Sequence, residues 1–243
     1  MKLPARRCVT QCSPGANLLS FSIRTKWCFN AAMQHDVALT RHGISLVPLS
    51  PAHAGPLFDF VDSGMWSGMA AEQPLSAAEL AELFAARLED PATMPFAVVE
   101  QRTGALLGTT SLCEYSPRQQ RLEIGGTFYG RPFWGSHVNP AAKQLLLAYS
   151  FDVLDVHRVA FRCDARNTRS ASAIQRLGAS YEGTLRGHRF APDGSRCDTA
   201  VFSILREEWP HVRESLLGRL APFELADNQC AYVAEPARTE HAA

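Results

Sequence analysis

Three apolar runs over residues 95–101, 106–115 and 121–129 are separated by turns of a few residues, and a strand, helix, strand, helix, strand alternation follows them. This change of pattern near residue 130 constrains the fold more than any other feature. Turns that short join antiparallel neighbours in a meander. A strand that returns through a helix pairs by crossover, which is how parallel or mixed pairing is built. One sheet with both kinds of connection, flanked by helices, is therefore predicted.

The remaining elements fit around it. Residues 44–49 read as a first strand, and Ser50-Pro51 opens a short helix carrying Leu57, Phe58 and Val61. Ser76-Ala77-Ala78-Glu79 is a capping box before a helix with Leu80, Leu83, Phe84 and Leu88 on its apolar stripe. Beyond residue 130 come a helix starting near Asn139, a strand at 159–163, a helix at 169–177 ended by Gly178, and a strand at 181–185. Pro192-Asp193-Gly194 marks a closing hairpin into a strand at 201–205, and residues 207–217 make a last helix.

At the junction, Phe133 to Lys143 turns an apolar strand into a helix. Asn139 suits the N-cap, and Pro140 suits the first helical position, where its missing N–H is unpaired anyway. Such a start offers free backbone N–H groups and the positive end of the helix dipole, which is a site for phosphate. Most strand-to-helix turns bind nothing, so the neighbouring residues have to decide. The glycine-broken stretch 63–69, with Trp66 between Met65 and Met69, reads either as a loop over a pocket or as a surface turn with one buried Trp.

Of 243 residues 46% are apolar, enough to bury a sizeable core. The 24 basic residues balance the 24 acidic ones, so no bulk field draws the chain to nucleic acid or to a membrane surface. Seven scattered cysteines without a C-x-x-C spacing predict neither a zinc site nor a disulfide framework, and reduced thiols suit a cytoplasmic protein. No metal is expected, and no apolar run reaches the length of a membrane span. Residues 1–38 lack early acidic residues and read as an N-terminal extension outside the fold, either a transit peptide or sequence upstream of an initiator at Met33. The folded domain is expected over 39–220, with 221–243 a flexible tail.

Four pieces in order, Leu122-Glu123-Ile124-Gly125, Trp134-Gly135 to Lys143, Asp164 to Ser170 and Arg176 to Arg186, resemble the GNAT N-acetyltransferase superfamily, and within it the RimJ/RimL-like branch. The strongest piece is Asn167-x-x-Ser170 leading into Ala173 and Leu177-Gly178. The resemblance implies an α/β (α+β) fold with a mixed, mostly antiparallel central sheet of about seven strands. That sheet is splayed between its fourth and fifth strands around acetyl-CoA. The family's pyrophosphate loop maps onto Trp134, Gly135, Ser136, His137, Val138 and Asn139, with His137 where a glycine is usual. Asn167 matches the asparagine beside the cofactor arm, and it reads equally as a helix cap.

Acetyl transfer to an amine needs a neutral amine, donors for the oxyanion and an acid for the departing thiolate. By resemblance, backbone N–H groups of residues 125–128 serve the oxyanion, with Gly125-Gly126 suited to a bulge, and Ser170 is the acid. Glu123 matches the glutamate that takes the proton through water, while both it and Ser170 also read as ordinary strand and helix residues. An α-amine with a pKa near 8 is roughly a tenth neutral at pH 7, so it needs little help from a base.

The resemblance thus implies an acyltransferase that moves the acetyl group of acetyl-CoA directly to a primary amine, a small molecule or a protein N-terminus, with Trp66 on the acceptor side. A homodimer is compatible with it. The rival expectation, motivated by His137, is a catalytically silent acyl-CoA-binding module.

Overall fold

The computed structural model describes residues 35–224, except positions 67, 70 and 192. Eight strands form one sheet in the order β1-β2-β3-β4-β5-β6-β8-β7. They are β1 (Leu39–Arg41), β2 (Ile44–Pro48), β3 (Met94–Glu100), β4 (Leu106–Ser116), β5 (Arg121–Tyr129), β6 (Arg158–Asp164), β7 (Ser180–Phe190) and β8 (Arg196–Leu205). Neighbours are antiparallel except β5 and β6, which run parallel and pair over Arg121–Glu123 against Arg158–Ala160. Beyond Glu123 the two strands part.

The mixed sheet and its split are as expected, with one correction. Among the described residues there are eight strands rather than about seven, and the added first strand renumbers the expected split, which in chain order falls between the fifth and sixth. The extra strand is β1, whose hairpin with β2 turns on His42 (φ 55°) and Gly43 (φ 73°). Three residues carry too little alternation to reveal a strand in the sequence. β7 runs longer than its apolar stretch because it is an edge strand with mostly exposed side chains.

Alternating residues divide the core between the two faces of the sheet. Phe96 and Val98 of β3 join one cluster with α4 (Val138–Ala148) and α6 (Trp209–Glu224). Ala97 joins the other, with α1 (Ala54–Phe58), α2 (Ser63–Trp66) and α3 (Ala77–Glu89). Helix α4 lies against the sheet under α6, and every residue from Ala141 to Ala148 is buried. α5 (Thr168–Gln175) follows β6.

The capping box at Ser76 forms in altered shape. Ser76 Oγ accepts from the Glu79 N–H (3.1 Å), while the Glu79 carboxylate accepts from the Leu75 N–H (2.8 Å) rather than from the cap itself. Among the described residues the last helix runs to Glu224, seven residues past its expected end at 217. Residues 1–34 and 225–243, which hold most of the expected extension and tail, lie outside the described residues.

Candidate active site

The split between β5 and β6 opens a cleft of about 770 Å³, and its floor is a bulge in β5. Thr109 pairs with Phe128 and Ser111 with Gly125, so Gly126 and Thr127 together stand opposite Thr110. Gly126 has φ +57°, and a Cβ there would meet Ser111 Oγ at 3.1 Å and Arg87 Nη1 at 3.4 Å. Only glycine fits without strain. On the α3 side, the Gly126 carbonyl accepts from Thr109 Oγ1 (3.1 Å) and Arg87 Nη1 (3.3 Å). On the α4 side, Lys143 Nζ donates to Thr110 Oγ1 (3.0 Å) and Thr127 Oγ1 (2.7 Å).

The loop into α4 forms the mouth. Trp134, Gly135, Ser136 and Asn139 line the cleft, and Gly135 takes the left-handed backbone at φ +74° that the turn requires. Ser136 Oγ donates to the Phe133 carbonyl (2.6 Å) and accepts from the Val138 N–H (3.2 Å), so its hydroxyl is engaged within the loop. Trp134 Nε1 donates to the Tyr129 carbonyl (2.9 Å), and the Arg169 guanidinium lies 3.5 Å from the ring centroid.

The expected N-cap at Asn139 is not the one observed. The helix starts at Val138 with His137 as its N-cap, so Asn139 and Pro140 are its second and third residues. Ser136 already meets the first helical N–H, which moves the start forward. Pro140 still costs nothing there, since the third N–H of a helix has no intrahelical partner. The His137 ring stacks on Phe223 (centroids 3.9 Å apart) and Val138 is buried in the core, so the side chains of neither line the cleft.

Across the cleft, Asn167 caps α5. Its Oδ1 accepts from the Ser170 N–H (3.0 Å), and both residues line the cleft. Ser170 Oγ lies by the buried Cys163 thiol and pulls against the burial that pushes that thiol up. Glu123, at the last position of β5 that pairs with β6, ion-pairs with Arg162, which also holds Glu114. Burial raises the Glu123 carboxyl above its ordinary value, while Arg162 pulls it down and the nearby Glu114 pushes it up.

Trp66 is not in the cleft. It is buried at 1% exposure against Phe128, and its Nε1 is shared between the carbonyls of Ala71 (2.9 Å) and Glu72 (3.0 Å). An indole whose N–H finds partners in its own loop is a structural anchor, and it leaves Met65 and Met69 to line the wall. Arg189 on β7 ties that loop down by donating to the Met69 carbonyl (3.1 Å) and to Asp164 (3.4 Å). The Asp164 carboxyl is held at about 2, first by its bonds to Arg166.

The cationic character of the walls is not evident in the sequence. Six arginines and Lys143 line the cleft against one carboxylate, Glu123, among the described residues. Two of these cations carried a signal. Lys143 interrupts an apolar run one turn after Asn139, and Arg87 follows Phe84 at i+3 on the stripe of α3. No group of three or more His, Cys, Asp and Glu is placed to hold a metal among the described residues, and none of their helices is long and apolar enough to cross a membrane.

Residues 44–180 match the family model of the acetyltransferase (GNAT) domain. The chain is 30% identical over 114 residues to an uncharacterized N-acetyltransferase, p20, of Bacillus licheniformis, a stretch that is 47% of this chain and 63% of that protein. It therefore spans less than two thirds of that relative's length. Among solved structures, a GCN5-related N-acetyltransferase from Brucella melitensis superposes with a TM-score of 0.72 at 26% identity, covering 80% of this chain and 90% of that one. RimJ of Mycobacterium smegmatis, solved in complex with CoA-disulfide, superposes with a TM-score of 0.62 over 75% of this chain and 92% of its own. At 17% identity that likeness concerns the fold alone.

Proposed function

The chain belongs to the GNAT acetyltransferase family and is an acyltransferase, and from that premise we propose that it moves the acetyl group of acetyl-CoA directly to a primary amine. The acceptor is a small molecule or a protein N-terminus, and the chain sits in the RimJ/RimL-like branch, with Asn167-x-x-Ser170 as the residues that favour it. The observation that carries the reading is the split of β5 from β6 after Glu123, with the first turn of α4 at its mouth and arginines along its walls.

In this reading the pantetheine arm lies in the split beside Asn167. The N–H groups at the start of α4 and the loop from Trp134 to Asn139 receive the pyrophosphate. His137 and Val138 contribute through their backbone alone. Arg169, Arg176 and Arg219, which line the cleft, supply positive charge for the phosphates.

The amine nitrogen attacks the thioester carbonyl, and the oxygen's developing charge is met by backbone donors of residues 125–128. The C–N bond forms and the C–S bond breaks. The ammonium proton leaves through water to Glu123, and the CoA thiolate takes a proton from Ser170, which regains one from solvent. A neutral amine enters more readily than a cation, because the walls are already positive.

The experiment is calorimetry with CoA together with thiol release from acetyl-CoA over a panel of N-terminal peptides, polyamines and amino acids. Binding with amine-dependent release supports transfer. Binding without release from any amine favours the silent acyl-CoA-binding module, and no binding removes both.

A further inference from the structure

Resting on that reading, we propose that Lys143 is a positioning residue of the transfer reaction. It ties Thr110 of β4 to Thr127 of β5 across the bulge, and so keeps the backbone donors of residues 125–128 aimed into the cleft.

Its placement is costly and has to be explained. Lys143 is 5% exposed, on a helix whose neighbouring residues Ala141, Ala142, Leu145, Leu146 and Leu147 are all buried. Leucine or methionine would pack there without desolvating an amine. Among the described residues its polar partners are hydroxyls and not carboxylates, at 3.0 Å to Thr110 and 2.7 Å to Thr127, so charge neutralisation is not its purpose.

What those two hydroxyls share is the bulge. Thr110 is the single residue facing Gly126 and Thr127, and the two threonine hydroxyls also lie 2.8 Å from each other. Lys143 closes that triangle from the α4 face, while Arg87 and Thr109 hold the Gly126 carbonyl. The bulged segment is fixed at both ends of its distortion, at the point where β5 has lost β6 as a partner.

A lysine suits this task. Its four-carbon stem reaches from the helix to the sheet, and its nitrogen has donors enough for two hydroxyls in either protonation state. Burial brings the amine down to about 7, so both states exist near neutral pH and the clamp survives the change. The other titratable groups at this floor are Arg87 of α3, Cys113 of β4 and Glu123 of β5.

The test uses a ketone analogue of acetyl-CoA, S-acetonyl-CoA labelled with 13C at its carbonyl, which cannot be cleaved. In the wild-type protein the carbonyl resonance moves downfield on binding as the bulge donors polarise it. In Lys143→Met the resonance returns most of the way to that of the free analogue, while the Kd stays within about twofold, because the phosphates carry the affinity. Lys143→Gln, which keeps a donor, recovers part of the shift. Thr127→Val reproduces the loss, and the double variant loses no more than either single one, since the two residues act as one unit.

A wild-type resonance in Lys143→Met, or losses that add in the double variant, overturns the proposal while leaving acetyl-CoA binding intact. A wild-type protein that does not bind the analogue removes the acetyl-CoA reading and this inference together. Should Lys143→Met fail to fold, Lys143→Gln and Thr127→Val decide the matter by the same resonance.

Discussion

The Arg169 guanidinium lies over the Trp134 ring, its central carbon 3.5 Å from the ring centroid, and so joins the first turn of α5 to the loop that leads into α4. These two elements flank the mouth of the cleft, and nothing in the covalent chain holds them together. A cation over an indole contributes about 0.5 to 2 kcal/mol. Arg169→Ala is therefore expected to weaken CoA binding by roughly 2- to 30-fold in calorimetry, with kcat within about twofold, because the bulge is untouched. An unchanged Kd would mean that neither this contact nor the Arg169 charge contributes to CoA binding.

Asn167 tests whether one side chain has two roles. Its Oδ1 caps α5 at the Ser170 N–H, and the residue also faces the cleft. Asn167→Asp keeps the capping oxygen but loses the amide donor and adds negative charge toward the cofactor. Thermal stability should hold while CoA affinity falls. Asn167→Ala should lose both, with about 1 kcal/mol taken from stability. Equal CoA affinity in the wild-type and Asp proteins leaves only the cap.

Most of the fold could be read from the chain because it rests on local signals. The runs of β3, β4 and β5 and their short turns survive almost unchanged, and so does the switch to crossovers that puts β5 parallel to β6. What could not be read depends on contacts distant in sequence. Trp66 looked like a cleft residue because Met65 and Met69 surround it, but its N–H is met by Ala71 and Glu72, and its ring packs on Phe128, 62 positions away. His137 took a glycine's place in the loop, and only the position of Phe223 in α6 shows that its ring turns away from the cleft. Lys143 breaks the apolar stretch of α4, but its partners follow only from the register of β4 against β5.

Glu123 is expected to set the acid limb of the pH profile. Burial raises its carboxyl, so activity that needs the carboxylate should fall at a pH above the usual glutamate range as the solution is acidified. Glu123→Gln should remove that limb and slow kcat/KM by about 10- to 100-fold. Arg162→Gln removes the cation that pulls the carboxyl down and should move the limb further upward. A limb that stays in place in both variants excludes Glu123 as the group that titrates.

Ser170→Ala separates chemistry from binding. Its backbone N–H keeps the bond to Asn167, so the helix cap is preserved when the hydroxyl goes. The expected result is a kcat reduced by about 10- to 100-fold with the Kd for CoA within about twofold. Loss of affinity with kcat unchanged would assign the hydroxyl to binding.

Lys143 should leave a mark on stability as well as on the bulge. Its amine titrates at about 7 when folded, against the ordinary lysine range when unfolded, because burial disfavours the ammonium. Between those values the unfolded chain binds the extra proton, so stability rises with pH across that window. Below about 7 both states are protonated and the penalty is present in full. Lys143→Met removes the titration, and the variant should be more stable than the wild-type protein at pH 6, with the gain shrinking as the solution is taken toward pH 10. Urea unfolding at a series of pH values measures this directly. A difference between the two proteins that is flat across the series would show that the folded amine titrates as an ordinary lysine does. A stability gain at pH 6 together with a depolarised analogue carbonyl would mean that the chain keeps a costly residue for the shape of its bulge.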